Sequence, residues 1–302
     1  MAIVVRRYAE AGPSNLRLQT IVSPSASVIQ RFPQAACDIQ IDDAVPGVID
    51  TLDEFMARLG YVFAPLVPES GNPRGYVRGF VTSWTSVSSV TIGMGDCRSS
   101  DNLTDIVLAA PTVVDITASG AGGLDAGAEA ANTWYYAHVI ADSTGVNPVR
   151  GMLSASALAP LLPSGYDRFR RVGSVRNTAA SNFRQFATSG IGSERSVQYT
   201  DAITNRQVLA GGAAVAVTVV ICGALIPPTS RVGTFQIAQR GTVTANLYDD
   251  PANALVTMQR TLIPGGMTAD WIRISAAREI GYANAAAGGL VDIWVTGYEE
   301  SI

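Results

Sequence analysis

Few residues in this chain have the type and spacing that chemistry needs. The single histidine, His138, lies in the run Trp134-Tyr135-Tyr136-Ala137-His138-Val139-Ile140. An imidazole works as acid, base or triad member only beside a serine, cysteine or carboxylate partner. None is evident near it in sequence, so a structural role inside a strand is expected. No G-x-S-x-G elbow, H-E-x-x-H pair or P-loop occurs. Gly93-Met94-Gly95-Asp96-Cys97 matches the first half of a dinucleotide fingerprint but has Arg98 where the third glycine belongs, and reads as a turn between strands. Gly120 to Asp125 is glycine-rich but no helical pattern follows it, so a loop is expected rather than a phosphate cradle. Asp249-Asp250 before Pro251 reads as an exposed turn before it reads as a cation site. A glycosidase needs only two carboxylates converging in space, and no pair stands out. The expectation is a protein without catalytic residues, metal or cofactor, and not an enzyme.

The one dense basic stretch is Arg168, Arg170, Arg171, Arg176 and Arg184, interleaved with Phe169 and Phe183. Nucleic-acid binding needs net positive charge around such a stretch, and the chain carries −4 with a pI near 5.1. An intersubunit belt of ion pairs and hydrogen bonds is the better reading. All 21 basic residues are arginine. Planar, bidentate arginine suits buried interfaces, though a base-composition bias in the genome would remove lysine equally well. Cys37, Cys97 and Cys222 are too far apart for a metal-site or disulfide pattern, and are expected as buried thiols.

The elements that must position these residues are mostly strands. Val45, Val48, Ile49, Leu52, Phe55, Met56 and Leu59 alone keep helical spacing. They predict a helix over 45–59, with Asp42 and Asp43 as caps, Pro46 in the first turn and Gly60 as the stop. Val48, Leu52 and Phe55 are candidate interface residues on its apolar face. Tyr61-Val62-Phe63 reads as a strand. Residues 1–68 thus form a small α+β module.

From Glu69 onward, short β-type runs alternate with Gly, Asn, Asp, Ser and Pro turn signals. They include 76–82, 88–92, 105–108, 112–116, 134–141 and 170–175. A glycine- and serine-rich break falls near 186–193, and about seven further strands follow it, at 207–210, 215–221, 232–238, 242–248, 255–262, 271–275 and 289–297. The predicted fold class is mainly β: the N-terminal α+β module, a central β domain over 69–186 and a C-terminal β-sandwich over 187–302, the latter two sandwich- or jelly-roll-like.

The uncharged segment Val208 to Ile226 has the length of a membrane span. However, its Gly211-Gly212, its alternating Val215, Val217 and Val219, and its exit into Pro227-Pro228 favour strand–turn–strand. No membrane insertion is expected. No signal peptide is apparent, because Arg6-Arg7 follows Met1 to Val5 without an apolar run behind it. Charged residues make up 15% against 47% apolar, where a soluble domain has about 25% charged. The simplest reading is that much of the outer surface is covered, through oligomerisation or docking into a larger particle.

One series of motifs carries a resemblance. Gly122-Gly123-Leu124-Asp125-Ala126-Gly127, Asn132-Thr133-Trp134-Tyr135-Tyr136, Ser154-Ala155-Ser156, Ala159-Pro160-Leu161-Leu162-Pro163-Ser164-Gly165-Tyr166 and Arg170-Arg171-Val172-Gly173-Ser174-Val175-Arg176 follow in order. Over about residues 76–186 the chain resembles a module of tailed-bacteriophage virion proteins, the tail-fibre, head-fibre and decoration subunits. The ending Val291-Asp292-Ile293-Trp294-Val295-Thr296-Gly297-Tyr298 is more loosely similar to β-sandwich domains of the same proteins. The resemblance implies a virion structural protein, assembled in the host cytoplasm, that attaches to head or tail through its N-terminal module, projects its β domains and forms a homotrimer. Its expected partners are copies of itself and other virion proteins. Trp134, Tyr135 and Tyr136 are candidate contacts, with one face of their strand in the core and the other on a neighbour. Arg168, Arg170 and Arg171 join them, with Arg170 and Arg171 on opposite faces, so that one can pair within the subunit while the other reaches across. The alternative is a carbohydrate-binding adhesin that recognises a host surface glycan, and a polysaccharide depolymerase comes third.

Overall fold

The computed structural model of the chain describes the strand backbone at 3–10, 26–31, 36–42 and 61–64, and residues 72–249 and 258–302. Two compact units result, Met1–Ser70 and Gly71–Ile302. In the first, β1 (Ile3–Glu10), β2 (Ala26–Arg31), β3 (Ala36–Asp42) and β4 (Tyr61–Ala64) form an antiparallel sheet in the order β2-β3-β1-β4. Tyr8 sits opposite Cys37 on one side and Phe63 on the other. The helix predicted over 45–59, with Val48, Leu52 and Phe55, lies outside the described residues.

The second unit is mainly β, built of several antiparallel sheets. Its first six strands are short: β5 (Val77–Gly79), β6 (Thr82–Trp84), β7 (Ser89–Ile92), β8 (Gly95–Arg98), β9 (Asp105–Leu108) and β10 (Thr112–Asp115). They pair as two three-stranded sheets, β5-β8-β9 and β10-β7-β6. The turn expected across Gly93 to Cys97 is confined to its start, and Gly95 to Cys97 belong to β8. Gly79 and Gly95 make this crossing possible. Gly79 has a φ of +77°, and a Cβ at Gly95 would stand 2.4 Å from the Arg78 carbonyl oxygen, so only glycine fits either place.

A third sheet, β12-β11-β13, is made of β11 (Trp134–Ala141), β12 (Arg150–Ser154) and β13 (Arg168–Arg176). All eight residues of β11 are buried, so it is covered on both faces. A register shift between Ala137 and His138 skips one residue of β13, placing Gly173 opposite Ala137 and Arg171 opposite His138.

Ten strands complete the unit. First come β14 (Phe186–Ser189), β15 (Glu194–Tyr199), β16 (Gln207–Gly212), β17 (Thr218–Ile221) and β18 (Val232–Gln239). Then follow β19 (Ala245–Tyr248), β20 (Met258–Leu262), β21 (Met267–Arg273), β22 (Glu279–Asn284) and β23 (Val291–Ser301). A six-stranded sheet runs β14-β15-β23-β18-β21 with β16 also on β23, and a four-stranded sheet runs β17-β22-β19-β20.

The uncharged segment 208–226 thus contributes one strand to each of these sheets. Among the described residues no helix is long and apolar enough to cross a membrane. Alternation supplies the core: Val197 and Tyr199, Phe235 and Ile237, and Ile293 and Val295 point inward from their strands. They join Ile92, Ala137, Val139 and Val172 in one continuous apolar cluster. The break expected near Phe186 falls inside this cluster.

Candidate assembly surface

The aromatic run of β11 is core rather than surface. Trp134, Tyr135 and Tyr136 are all buried within the chain. Trp134 meets Tyr298 edge to face at 5.8 Å and donates its indole N–H to the Gly223 carbonyl at 3.0 Å. The Tyr135 hydroxyl accepts from the Ala130 N–H at 2.7 Å. With both faces of β11 covered by the chain's own residues, none of the three is left to touch a neighbour, and the expected outward face does not exist.

The arginines are likewise occupied inside the chain. Arg168 pairs with Asp167 at 3.0 Å and Asp101 at 3.4 Å. Arg170 donates to the Ile302 carbonyl at 2.7 Å, and Arg171 donates to Glu300 Oε2 at 2.8 Å and to the Ser301 carbonyl. Arg171 reaches β23 and Arg170 the residue just after it, so the expected division into one internal and one external arginine does not arise. Glu300 is buried, and its Oε2 also accepts from Ser174 Oγ at 2.7 Å and Thr229 Oγ1 at 3.1 Å. The belt locks β13 to β23 within the chain.

A second lock is Arg195, which sequence reading did not single out. It is buried, and it donates to the carbonyls of Gly192 at 2.7 Å, Glu194 at 3.1 Å and Gly79 at 2.6 Å. Its planar fork of N–H groups serves three carbonyls from one side chain. This is a physical use for arginine that composition alone could not reveal.

His138 is fully buried on β11, edge-on to Phe169 at 5.7 Å, with Nε2 3.1 Å from the Ser156 carbonyl. That acceptor assigns the proton to Nε2. Burial lowers its pKa to about 4, so the ring is neutral at physiological pH. Cys97 and Cys222 are buried thiols, pushed up to about 12 by burial. The glycine-rich stretch is a loop bound to β12, with the Gly122 N–H on Gly151 O and the Asp125 N–H on Leu153 O, both at 2.8 Å. Its amides are therefore not turned to a phosphate. Among the described residues no group of three or more His, Cys, Asp or Glu is placed to hold a metal ion.

What the unit does expose is an apolar stripe. Val215, Val217, Val219 and Ile221 alternate along β17 and its approach, with exposures of 52, 38, 48 and 70%. Val220 between them is buried against Ile280. Among the described residues the strand ends its sheet and pairs with β22 alone. Its free edge carries none of the charges, prolines or bulges that normally keep such edges from pairing with another chain. From Val219 one row crosses all four strands through Gly281 and Tyr248 to Met258, which is also exposed. The sequence signal for this surface was the alternation inside the uncharged segment. It reveals a strand, but which of its faces is outward depends on the partner strand. In comparisons with family models, curated proteins and solved structures, the chain has no match.

Proposed function

We propose that the chain is a non-enzymatic structural subunit of a tailed-bacteriophage virion, a fibre, spike or decoration protein that works by packing against copies of itself and other virion proteins. The observation that carries the assembly part of this reading is the unguarded β17 edge with its stripe of Val215, Val217, Val219 and Ile221. Four β-branched side chains beside an unpaired row of backbone N–H and C=O groups are costly in water. They become favourable when a second chain supplies both a strand and an apolar face. The motif series between Gly122 and Arg176 supports the virion part. On this reading the two large sheets serve as a sandwich-like projecting body, and residues 1–68 as an α+β anchor to head or tail.

Two measurements test it. Sedimentation of the full chain should give a discrete oligomer, a trimer on this proposal, and a monomer at tens of micromolar would overturn the assembly reading. An antibody to the chain should decorate purified phage particles under the electron microscope. Absence of label on every particle, with label confined to unassembled protein, would overturn the virion reading.

A further inference from the structure

Three arginines outside the Glu300 belt gather round the buried side chains of Trp134, Tyr199 and Tyr298. Trp134 and Tyr199 both pack on the Tyr298 ring, at 5.8 and 6.1 Å between centroids. Arg176 Cζ lies over Trp134 at 5.7 Å, and Arg184 Cζ over Tyr199 at 5.3 Å. The backbones of these two arginines are joined, since the Arg184 N–H donates to the Arg176 carbonyl at 3.0 Å. Arg278 completes the group from a separate turn. Its Nη1 donates at 2.9 Å to the Gly223 carbonyl, the same oxygen that accepts from Trp134. A Cβ at Gly223 would stand 2.9 Å from Arg278 Cζ, so the glycine lets that guanidinium lie against the backbone.

Three features give the group its chemistry. First, its charge is unbalanced. Among the described residues Asp201 is the only carboxylate ion-paired with any of the three, and Arg184 shares it with Arg206. Arg176 and Arg278 are partly buried, and a cation taken from water without a counter-charge is costly. Second, donors are spare. Among the described residues, Arg176 spends only Nη1, on the Asn132 carbonyl at 2.7 Å, and Arg278 also spends only Nη1. The Arg184 Nε is buried without an acceptor. Third, Arg278 has a φ of +64°, a left-handed backbone that few residues other than glycine adopt and that tends to mark ligand clamps. The three charges also act on one another. Burial lowers the Arg176 pKa, and Arg184 and Arg278 push it further down against the pull of Tyr199.

We propose that Arg176, Arg184 and Arg278 hold a tetrahedral oxyanion of the phosphate type, as the free ion or as the end group of a phosphate ester. A flat carboxylate takes up one guanidinium fork, whereas a tetrahedral dianion presents oxygens to forks that arrive from different segments. A nucleic-acid strand would need an extended basic track, and this is one compact cluster on an acidic chain. The bound ion pins the end of β13 and the turn after it to the turn that holds Arg278. The proposal goes beyond the assembly reading and stands without it, because it uses neither the β17 edge nor any second copy.

The test is calorimetric titration of the full chain with inorganic phosphate and with glycerol phosphate, at fixed ionic strength so that screening is constant. Phosphate should bind, and should raise the melting temperature below about 10 mM, where general salt effects on burial are small. Arg176→Gln should weaken binding by about tenfold or more. Arg278→Gly removes a guanidinium but suits the left-handed backbone. It should weaken binding as much, with a phosphate-free melting temperature near that of the parent. Arg78→Gln, which breaks the exposed pair with Asp96, should bind like the parent. Equal binding of the two titrants assigns the site to an ester's end group, and binding of inorganic phosphate alone assigns it to the free ion. The proposal is overturned if neither titrant binds, or if Arg176→Gln and Arg278→Gly lose stability with unchanged affinity. It also fails if hexaglutamate binds more tightly than phosphate, which would give the arginines to an acidic protein segment.

Discussion

Glu300 and His138 are the two residues where burial makes the sharpest demand. The Glu300 carboxylate is taken out of water and held by Arg171, Ser174 and Thr229. Removing one partner of a buried ion pair leaves a charge without compensation, which costs about 3–5 kcal/mol. Arg171→Ala should therefore lower stability by that order in urea denaturation, and adding Glu300→Gln should recover part of the loss. His138 gives a pH dependence of definite sign. Its folded pKa of about 4 lies below the ordinary imidazole value of about 6.5, so the unfolded chain takes up the proton first as pH falls. The stability tied to the neutral ring is complete above about pH 6.5 and is lost between there and about pH 4, up to about 3 kcal/mol at 1.36 kcal/mol per unit. Urea midpoints across that range should fall in the parent and flatten in His138→Gln.

Among the elements, β11 and β17 are opposites. The sequence of β11 is aromatic and its residues are all buried between β12 and β13, where bulk becomes packing. That of β17 is aliphatic and most of its residues are exposed, because the sheet ends there. A charge on the outward face of β17 should block strand addition while leaving the fold intact. Val219→Lys is expected to shift sedimentation from oligomer towards monomer without loss of melting temperature. If the oligomer persists in that variant, its interface lies elsewhere.

Within the unit Gly71–Ile302, the tying contacts join residues far apart in sequence. Arg171 meets Glu300, Trp134 meets Tyr298, Arg195 meets the Gly79 carbonyl, and the Tyr298 hydroxyl donates to the Ser174 carbonyl at 2.9 Å. Contacts of this kind couple the unfolding of both ends. Ile106→Ala near the start and Ile272→Ala near the end are each expected to cost about 2–5 kcal/mol. Both should lower one and the same thermal transition. Two transitions that respond separately to the two variants would show independent folding of the halves.

Strands declare themselves locally, through alternation and turn residues. For this reason β9, β10, β11, β18 and much of β23 were legible in the sequence, as was the mainly β class. Strands with weak alternation were missed: β12 holds Gly151 and Met152, and β22 holds Gly281 and Ala283, small residues with little pattern. The sequence by itself also determined the shortage of charge and the absence of lysine; covered surface is an expectation from the first, with nothing to say which surface. Only the tertiary structure decided that Trp134 to Tyr136 and the arginines near residue 170 are turned inward, and that the apolar stripe of β17 is turned out. The reason is geometric. A strand's period of two sorts its residues into two sets, but which set meets the core depends on what packs on each side, and those neighbours lie up to 132 residues away.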